Sequence, residues 1–366
     1  MRTRLSAILF VYIARQFFVW FGATFLLFVT LIFMIDMIEM LRRSSGKANV
    51  TFDLVLAMTA MKLPYLAQAT IPFAILFGGM MCFWRLNRSS ELVSIRAAGV
   101  SVWQFLAPAM IVALLIGGVR LAVINPVAAE MYSRWQQLES QYLRRKSSIL
   151  ALSNTGVWLR QIDRNGHTVI HAATVSADKL ILHGVMVLLY EGQDRFASRI
   201  DAQTAVLRKG YWLLKNAQLF SPRRGTRKAK TYRLKTDLTL DKIQESFSSP
   251  ETISFWELPR FIRNLEKAGF SGLSHRLHFH SLTAEPLLLC AMVLIGAVFS
   301  LRHNRKTGAI IAVAGGIVTG FVLFFVSKLI LNLGGSGSLP IILAAWIPAG
   351  ATAMLGLTAL FHLEDG

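Results

Sequence analysis

The sequence predicts an α-helical membrane protein with six transmembrane helices, three on each side of an inserted β jelly-roll domain. Composition, apolar run lengths and a change of pattern in the middle of the chain predict it. Hydrophobic residues make up 54% of the 366 and charged ones only 16%, against about 45–50% and about 25% in soluble domains. Six stretches reach the roughly 20 apolar residues that cross a bilayer core of about 30 Å as helix; they are 10–36, 57–84, 101–125, 283–301, 308–332 and 339–361. Between the third and fourth, hydropathy falls and short alternating runs bounded by turn residues take over. This divides the chain into 1–126 with three spans, 127–280 with the inserted domain and its flanking helices, and 281–366 with three more spans.

The first span opens like a signal peptide, with Arg2 and Arg4, but its apolar stretch runs from Leu9 to Ile35 and no small-x-small site follows. That is longer than the roughly 7–15 residues of a cleaved segment, so it reads as a retained span. The second carries Lys62, Pro64 and Pro72, which predict a kinked or partly broken helix because proline removes a backbone donor. The fifth holds Gly316 and Gly320, a spacing that lets helices approach closely. Placing the N-terminus inside gathers eight basic residues (Arg2, Arg4, Arg85, Arg88, Arg96, Arg302, Arg305 and Lys306) on the cytoplasmic side, against Arg42, Arg43 and Lys47 on the other. Basic flanks resist translocation, so both termini are expected in the cytoplasm and the long middle segment outside.

That segment begins with an amphipathic helix at about 127–146, continuous with the third span. Strand-like runs follow at Gly156–Ile162, Thr168–Val175, Lys179–Tyr190, Arg195–Leu207 and Tyr211–Phe220, the first two joined by an Arg164-Asn165-Gly166 turn. Alternation at this spacing argues for an antiparallel sandwich or jelly roll. A helix at Phe255–Lys267 closes the domain, with Ser254 as its expected N-cap. The segment holds 24 Lys and Arg against 13 Asp and Glu. Its densest run, Arg223–Arg233, reads either as a solvated hairpin tip or as a contact for a phosphorylated lipid or acidic headgroup. Nucleic acid is a poor partner for an external domain without a binding motif.

Sites for chemistry are sparse. No phosphate loop of the GxxxxGK[ST] type occurs, so any ATP hydrolysis belongs to another subunit. Gly334-Gly335-Ser336-Gly337 matches the string of an intramembrane serine protease, but His362 lies at the far end of the sixth span, about 35–40 Å away as helix. A nucleophile and its base must share a hydrogen bond. His275, His278 and His280 do not share one face, and Cys82 and Cys290 both sit in apolar runs, so no metal site or disulfide framework is implied. No cofactor is expected.

Three ionisable sets remain. Asp36 and Glu39 stand beside Arg42 and Arg43 at the end of the first span, as local ion pairs or as a place where the arginines attract anionic headgroups. Lys328 lies within the fifth span, where an ionisable group is a functional candidate unless it snorkels to the interface. The segment Trp84–Ser101 reads as a short helix between spans two and three, capped by Ser89 or Ser90, with Glu91 in its first turn and ended by Gly99. Such a helix is a connector, or a peg for a separate ATPase.

Several strings together resemble the LptF/LptG family, the permease subunits of the bacterial lipopolysaccharide exporter. They are Tyr12-Ile13-Ala14-Arg15, Leu63-Pro64, Ile71-Pro72-Phe73-Ala74, and the run from Ser90 to Gly99. Asn125-Pro126, Gly156-Val157-Trp158-Leu159-Arg160 and Tyr211-Trp212-Leu213-Leu214 also match, and the ending from Gly337 to Pro348 looks more like the G subunit than the F. The resemblance implies an inner-membrane heterodimer with a related, LptF-like permease, driven by a cytoplasmic ATPase dimer and handing lipopolysaccharide to periplasmic bridge proteins. It implies Glu91, with Arg88 and Arg96, as the ATPase-coupling residues at 85–100, and Arg42, Arg43 and Lys328 as contacts for lipid phosphates. It implies lateral gates on spans one and five, here Phe28, Ile32, Ile35, Phe321 and Phe325. Asp36 departs from it, standing where a basic residue is expected, which shifts the phosphate role to Arg42 or Lys328. The alternative reading is a non-transport membrane scaffold with a periplasmic interaction domain.

Overall fold

The computed structural model describes residues 7–45, 50–143, 157–163, 166–176, 181–191, 195–208, 210–221, 225–236, 249–267, 271–301 and 308–364. Gly156, the Arg164-Asn165 turn, Arg2, Arg4, Lys47, Arg223, Arg224, Arg302, Arg305 and Lys306 lie outside the described residues. The chain separates into two compact units, one of Met1–Leu143, Pro250–Leu258 and Leu273–Gly366, the other of Arg144–Ser249 and Pro259–Gly272.

The first unit holds α1 (Ala7–Ser44), α2 (Phe52–Arg88), the short α3 (Glu91–Ala97), α4 (Val102–Val119) and α5 (Asn125–Leu138). After α6 (Leu258–Lys267), which falls almost wholly in the other unit, come α7 (Leu273–Leu301), α8 (Gly308–Gly335) and α9 (Ile341–Glu364). Among the described residues six helical columns are long and apolar enough to cross a membrane, and each overlaps one of the apolar runs. The columns outlast those runs because backbone hydrogen bonding continues after the side chains turn polar. α1 alone has 38 residues, about 57 Å at the helical rise.

The core of this unit forms where α1, α2, α4 and α7 meet, around Phe17, Ile75, Leu76, Phe83, Phe105, Leu106, Leu289 and Val293. Glycines set the spacing. A Cβ on Gly78 of α2 would lie 2.8 Å from the Cα of Phe21, so α1 and α2 touch backbone to backbone. Gly316 and Gly320 of α8 instead make room for side chains of α2, those of Met80 and Leu76. Of the kinked or partly broken helix expected from Pro64 and Pro72, the break is absent: α2 runs as one helix through both prolines. It packs against α1, α5, α7 and α8, and these contacts offset the two missing backbone donors.

The third column changes gauge rather than breaking. Between α4 and α5 lies a π-helical turn, Arg120–Ile124, and a second, Glu139–Leu143, ends the column. Pro126 has no N–H for the carbonyl of Ala122, and that oxygen accepts from Trp256 Nε1 at 3.2 Å instead. Next to it Asn125 Oδ1 accepts from the backbone N–H of Phe255 at 2.9 Å. The segment before α6 is thus stitched to the proline site, and 254–257 is a turn with Ser254 accepting backbone hydrogen bonds from Glu257 and Leu258. The helix starts at Leu258 rather than Phe255, with Pro259 in its first turn, where a missing N–H costs no helical hydrogen bond.

The second unit is built on a sheet of β1 (Val157–Asp163), β2 (Gly166–Ser176), β3 (Ile181–Glu191), β4 (Arg195–Arg208), β5 (Tyr211–Ser221) and β6 (Gly225–Lys235). All pairings are antiparallel between sequence neighbours, so the described strands form a meander. Its buried face carries Ile170, Leu182, Val187, Ile200, Trp212, Leu214 and Leu234. An inserted antiparallel β domain is present, with one strand more than the five runs, and its described strands form a single sheet. Residues 225–233 of the basic run belong to β6 rather than to a tip, a strand mostly exposed but sealed at Leu234 against Trp212.

Candidate functional site

Inside the first unit a cavity of about 390 Å³ opens among α2, the π-helical turn, α7, α8 and α9. Its walls mix apolar residues such as Phe73, Leu288 and Phe324 with Gln68, Arg120, Asn125, Glu251, His278, Ser281, Glu285, Ser327 and Lys328. Arg120 Nη1 and Glu285 form an ion pair across it, their side chains only 11% and 14% exposed. In surroundings of low dielectric each charge is tolerable only with the other. Arg120 Nε and His278 Nε2 are buried without a hydrogen-bond partner among the described residues. Lys328 makes no ion pair there and stands with its Nζ 5.7 Å from the ring of Phe324. Of the three histidines noted in the sequence, His278 lines the cavity.

At the C-terminal end of α1 the charges sort into two sets. Glu39 accepts from Arg42 at 2.8 and 2.9 Å and from Arg43 at 2.8 Å. Arg43 also reaches Glu139 at 3.1 Å, tying α1 to the end of the α5 column. Asp36 does not join them. It faces inward and pairs with Lys62 of α2 at 2.5 Å, and the same ammonium stands 4.9 Å from the Trp135 ring. The departure at Asp36 therefore has an internal partner. Arg42, 74% exposed at its side chain, keeps donors free on its outward side.

Around α3 the expected caps form differently. Ser90 occupies the position before the helix with φ 61° and no side-chain hydrogen bond. The hydroxyl of Ser89 turns back to the carbonyls of Arg85 and Leu86 and to Glu91 Oε1 at 2.9 Å. Glu91 Oε2 accepts from the hydroxyl of Tyr12, 79 residues earlier on α1, at 2.8 Å. Gly99 ends the element with φ 79°. Arg88 lies against the Trp84 ring, its guanidinium carbon 5.2 Å from the centroid, and Arg96 is exposed.

The gate candidates are not brought together within one chain. α1 packs chiefly on α2 and α4, and α8 on α9, α7 and α2. Phe28 leans on Phe77 with centroids 5.8 Å apart, Ile32 is half-buried, and Ile35, Phe321 and Phe325 are exposed. Sequence reasoning missed Arg120, Glu285 and the partnership of Lys62. The signal was available: each is the one Asp, Glu, Lys or Arg in an apolar run, and charges at membrane depth seek partners.

Six spans, an inserted sheet domain and a charged cavity inside the span bundle define a multi-pass membrane protein of permease build. The family described as lipopolysaccharide export system permease LptF/LptG matches residues 11–362, and the chain belongs to that family. Within it the likeness is to LptG. The lipopolysaccharide export system permease protein LptG of Escherichia coli strain K12 is 23% identical over 361 residues, covering 96% of this chain and 97% of that protein. Its counterpart in Haemophilus influenzae is 23% identical over 339 residues, covering 90% and 92%.

Proposed function

We propose that this chain is one permease subunit of an ATP-driven exporter that extracts lipopolysaccharide from the bacterial inner membrane and passes it to a periplasmic bridge. The cavity is the observation that carries the reading. A scaffold needs no polar chamber inside its span bundle, whereas a carrier of a phosphorylated, acylated glycolipid needs apolar walls beside charge. Arg120, His278 and Lys328 would supply donors to anionic groups there, with Glu285 as the counter-charge in their absence. Arg42, with Arg43 beside it, would meet headgroups at the end of α1.

Both termini lie in the cytoplasm in this reading and the sheet domain in the periplasm, in keeping with the excess of basic residues on the short flanks. The exposed apolar faces of α1 and α8, with Phe28, Ile32, Ile35, Phe321 and Phe325, then meet a related permease as lateral gates. α3 docks on a cytoplasmic ATPase dimer, with Glu91 facing a cation of that partner between Arg88 and Arg96.

The test is purification of the tagged chain from its native membrane, with identification of the accompanying proteins and lipid, beside an export assay in cells depleted of the wild-type chain. A second permease, an ATPase and bound lipopolysaccharide are expected. Glu91→Arg is expected to leave the spans folded and abolish export. A chain that purifies alone, carries no lipid and supports growth with Glu91→Arg is a scaffold, and the proposal fails.

A further inference from the structure

α1 is fastened unevenly. Its buried residues are Ile13, Phe17 and Phe21 near one end and Asp36 and Met40 near the other, with none from Gly22 to Ile35. The middle touches the bundle through lighter contacts, such as Thr24 Oγ1 to the carbonyl of Ala74 at 3.0 Å. No proline interrupts the 38 residues, so nothing in α1 favours a hinge. A displacement imposed at one end is delivered to the other, about 36 Å away from Tyr12 to Asp36 at the helical rise.

At the first end, α1 meets α3 through the hydroxyl of Tyr12, which donates to Glu91 Oε2 at 2.8 Å. The other carboxylate oxygen takes Ser89. A carboxylate accepts about four hydrogen bonds, so Glu91 can hold Tyr12 and still receive a cation from outside. Ser90, at φ 61°, is in a conformation that non-glycine residues adopt at some cost, and it fixes the direction in which α3 leaves α2.

We infer that Tyr12 is a positioning residue for transport: its hydrogen bond to Glu91 ties the movement of α3 to α1, so that motion at the ATPase-facing helix shifts the first span. This rests on α3 being the ATPase-docking element. In such a linkage Glu91 has two tasks, gripping the motor and gripping α1, and Tyr12 serves only the second. The contact lies at the aqueous end of the span, where the tyrosine is 38% exposed, so losing the hydroxyl removes a link without opening a cavity.

The experiment uses the full complex, with its partner permease and ATPase, reconstituted in vesicles containing lipopolysaccharide. ATP turnover and lipopolysaccharide released are measured together. Tyr12→Phe is expected to assemble normally and keep its ATP turnover, while lipid released per ATP falls about three- to ten-fold, the range for one ordinary hydrogen bond at a partly exposed site. Glu91→Gln still accepts from Tyr12 but cannot pair with a cation, so it should lower ATP turnover and release together, leaving their ratio near that of the wild type. An unchanged ratio in Tyr12→Phe overturns the inference while leaving the docking role of Glu91 intact. A parallel loss of assembly, turnover and release in Tyr12→Phe also overturns it, by showing a structural role only. If Glu91→Ala changes nothing, α3 is not the docking element, and both the reading and the inference fall.

Discussion

Asp36 of α1 and Lys62 of α2 meet at 2.5 Å, with side chains 10% and 20% exposed. Beside them Lys62 rests on Trp135 of α5, so one cation joins three helices. Removing either partner leaves a charge in surroundings that stabilise it poorly. Asp36→Asn or Lys62→Met should each destabilise the helical unit by about 3–5 kcal/mol. The double variant Asp36→Leu with Lys62→Met should recover most of that. Thermal unfolding in detergent, followed by helical circular dichroism, reads the three variants.

The Arg120–Glu285 pair makes a different forecast, because its residues also line the cavity. Arg120→Met should destabilise by a similar few kcal/mol through the orphaned Glu285. Adding Glu285→Leu should restore stability without fully restoring lipopolysaccharide bound per complex, since Arg120, one of the three donors to anionic groups, is gone. Recovery of both stability and bound lipid would show the pair to be purely structural.

Gly78 tests the contact between α1 and α2. Its added Cβ would lie 2.8 Å from Phe21 Cα and 2.9 Å from Phe21 N, backbone atoms that cannot rotate away. Gly78→Leu should push α1 off α2 and cost about 1–3 kcal/mol, as overpacked sites do. Gly22, on the facing helix, has nothing within 4 Å, so Gly22→Ala should be neutral or gain about 0.5–1 kcal/mol. The same unfolding assay separates them.

In the sheet domain Trp212 is fully buried, between Leu207 on β4 and Leu234 on β6 in the pairing register. Trp212→Ala should cost about 3–5 kcal/mol there. Limited proteolysis should then cut within β4 to β6 while the membrane helices stay intact.

The spans were legible because hydropathy adds over some 20 residues, and a single Lys62 or Arg120 cannot hide such a signal. The strands through β5 were legible for the same kind of reason, since Trp212 and Leu214 alternate with outward residues. β6 was not, because Arg227, Lys228, Lys230 and Arg233 place charge on both faces and only Leu234 is buried. The ion pairs were the hardest. Asp36 was read with its sequence neighbours Arg42 and Arg43, yet the helical turn points it at Lys62, while Glu39 takes both arginines. Periodicity assigns a residue to a face but does not name what the face meets. The link from Tyr12 to Glu91 is of this kind too, since it depends on where two helix ends arrive.

The order of strands in the sheet has a consequence for how the chain is made. The described strands pair only with their neighbours in sequence. Each hairpin can therefore close as soon as its second strand emerges, with no wait for a distant segment. Such local contacts shorten the loops that must be closed and speed folding. A domain interrupted in this way between two groups of spans can reach its final form while α7, α8 and α9 are still being synthesised. The later spans then join a chain whose middle is already protected from proteases.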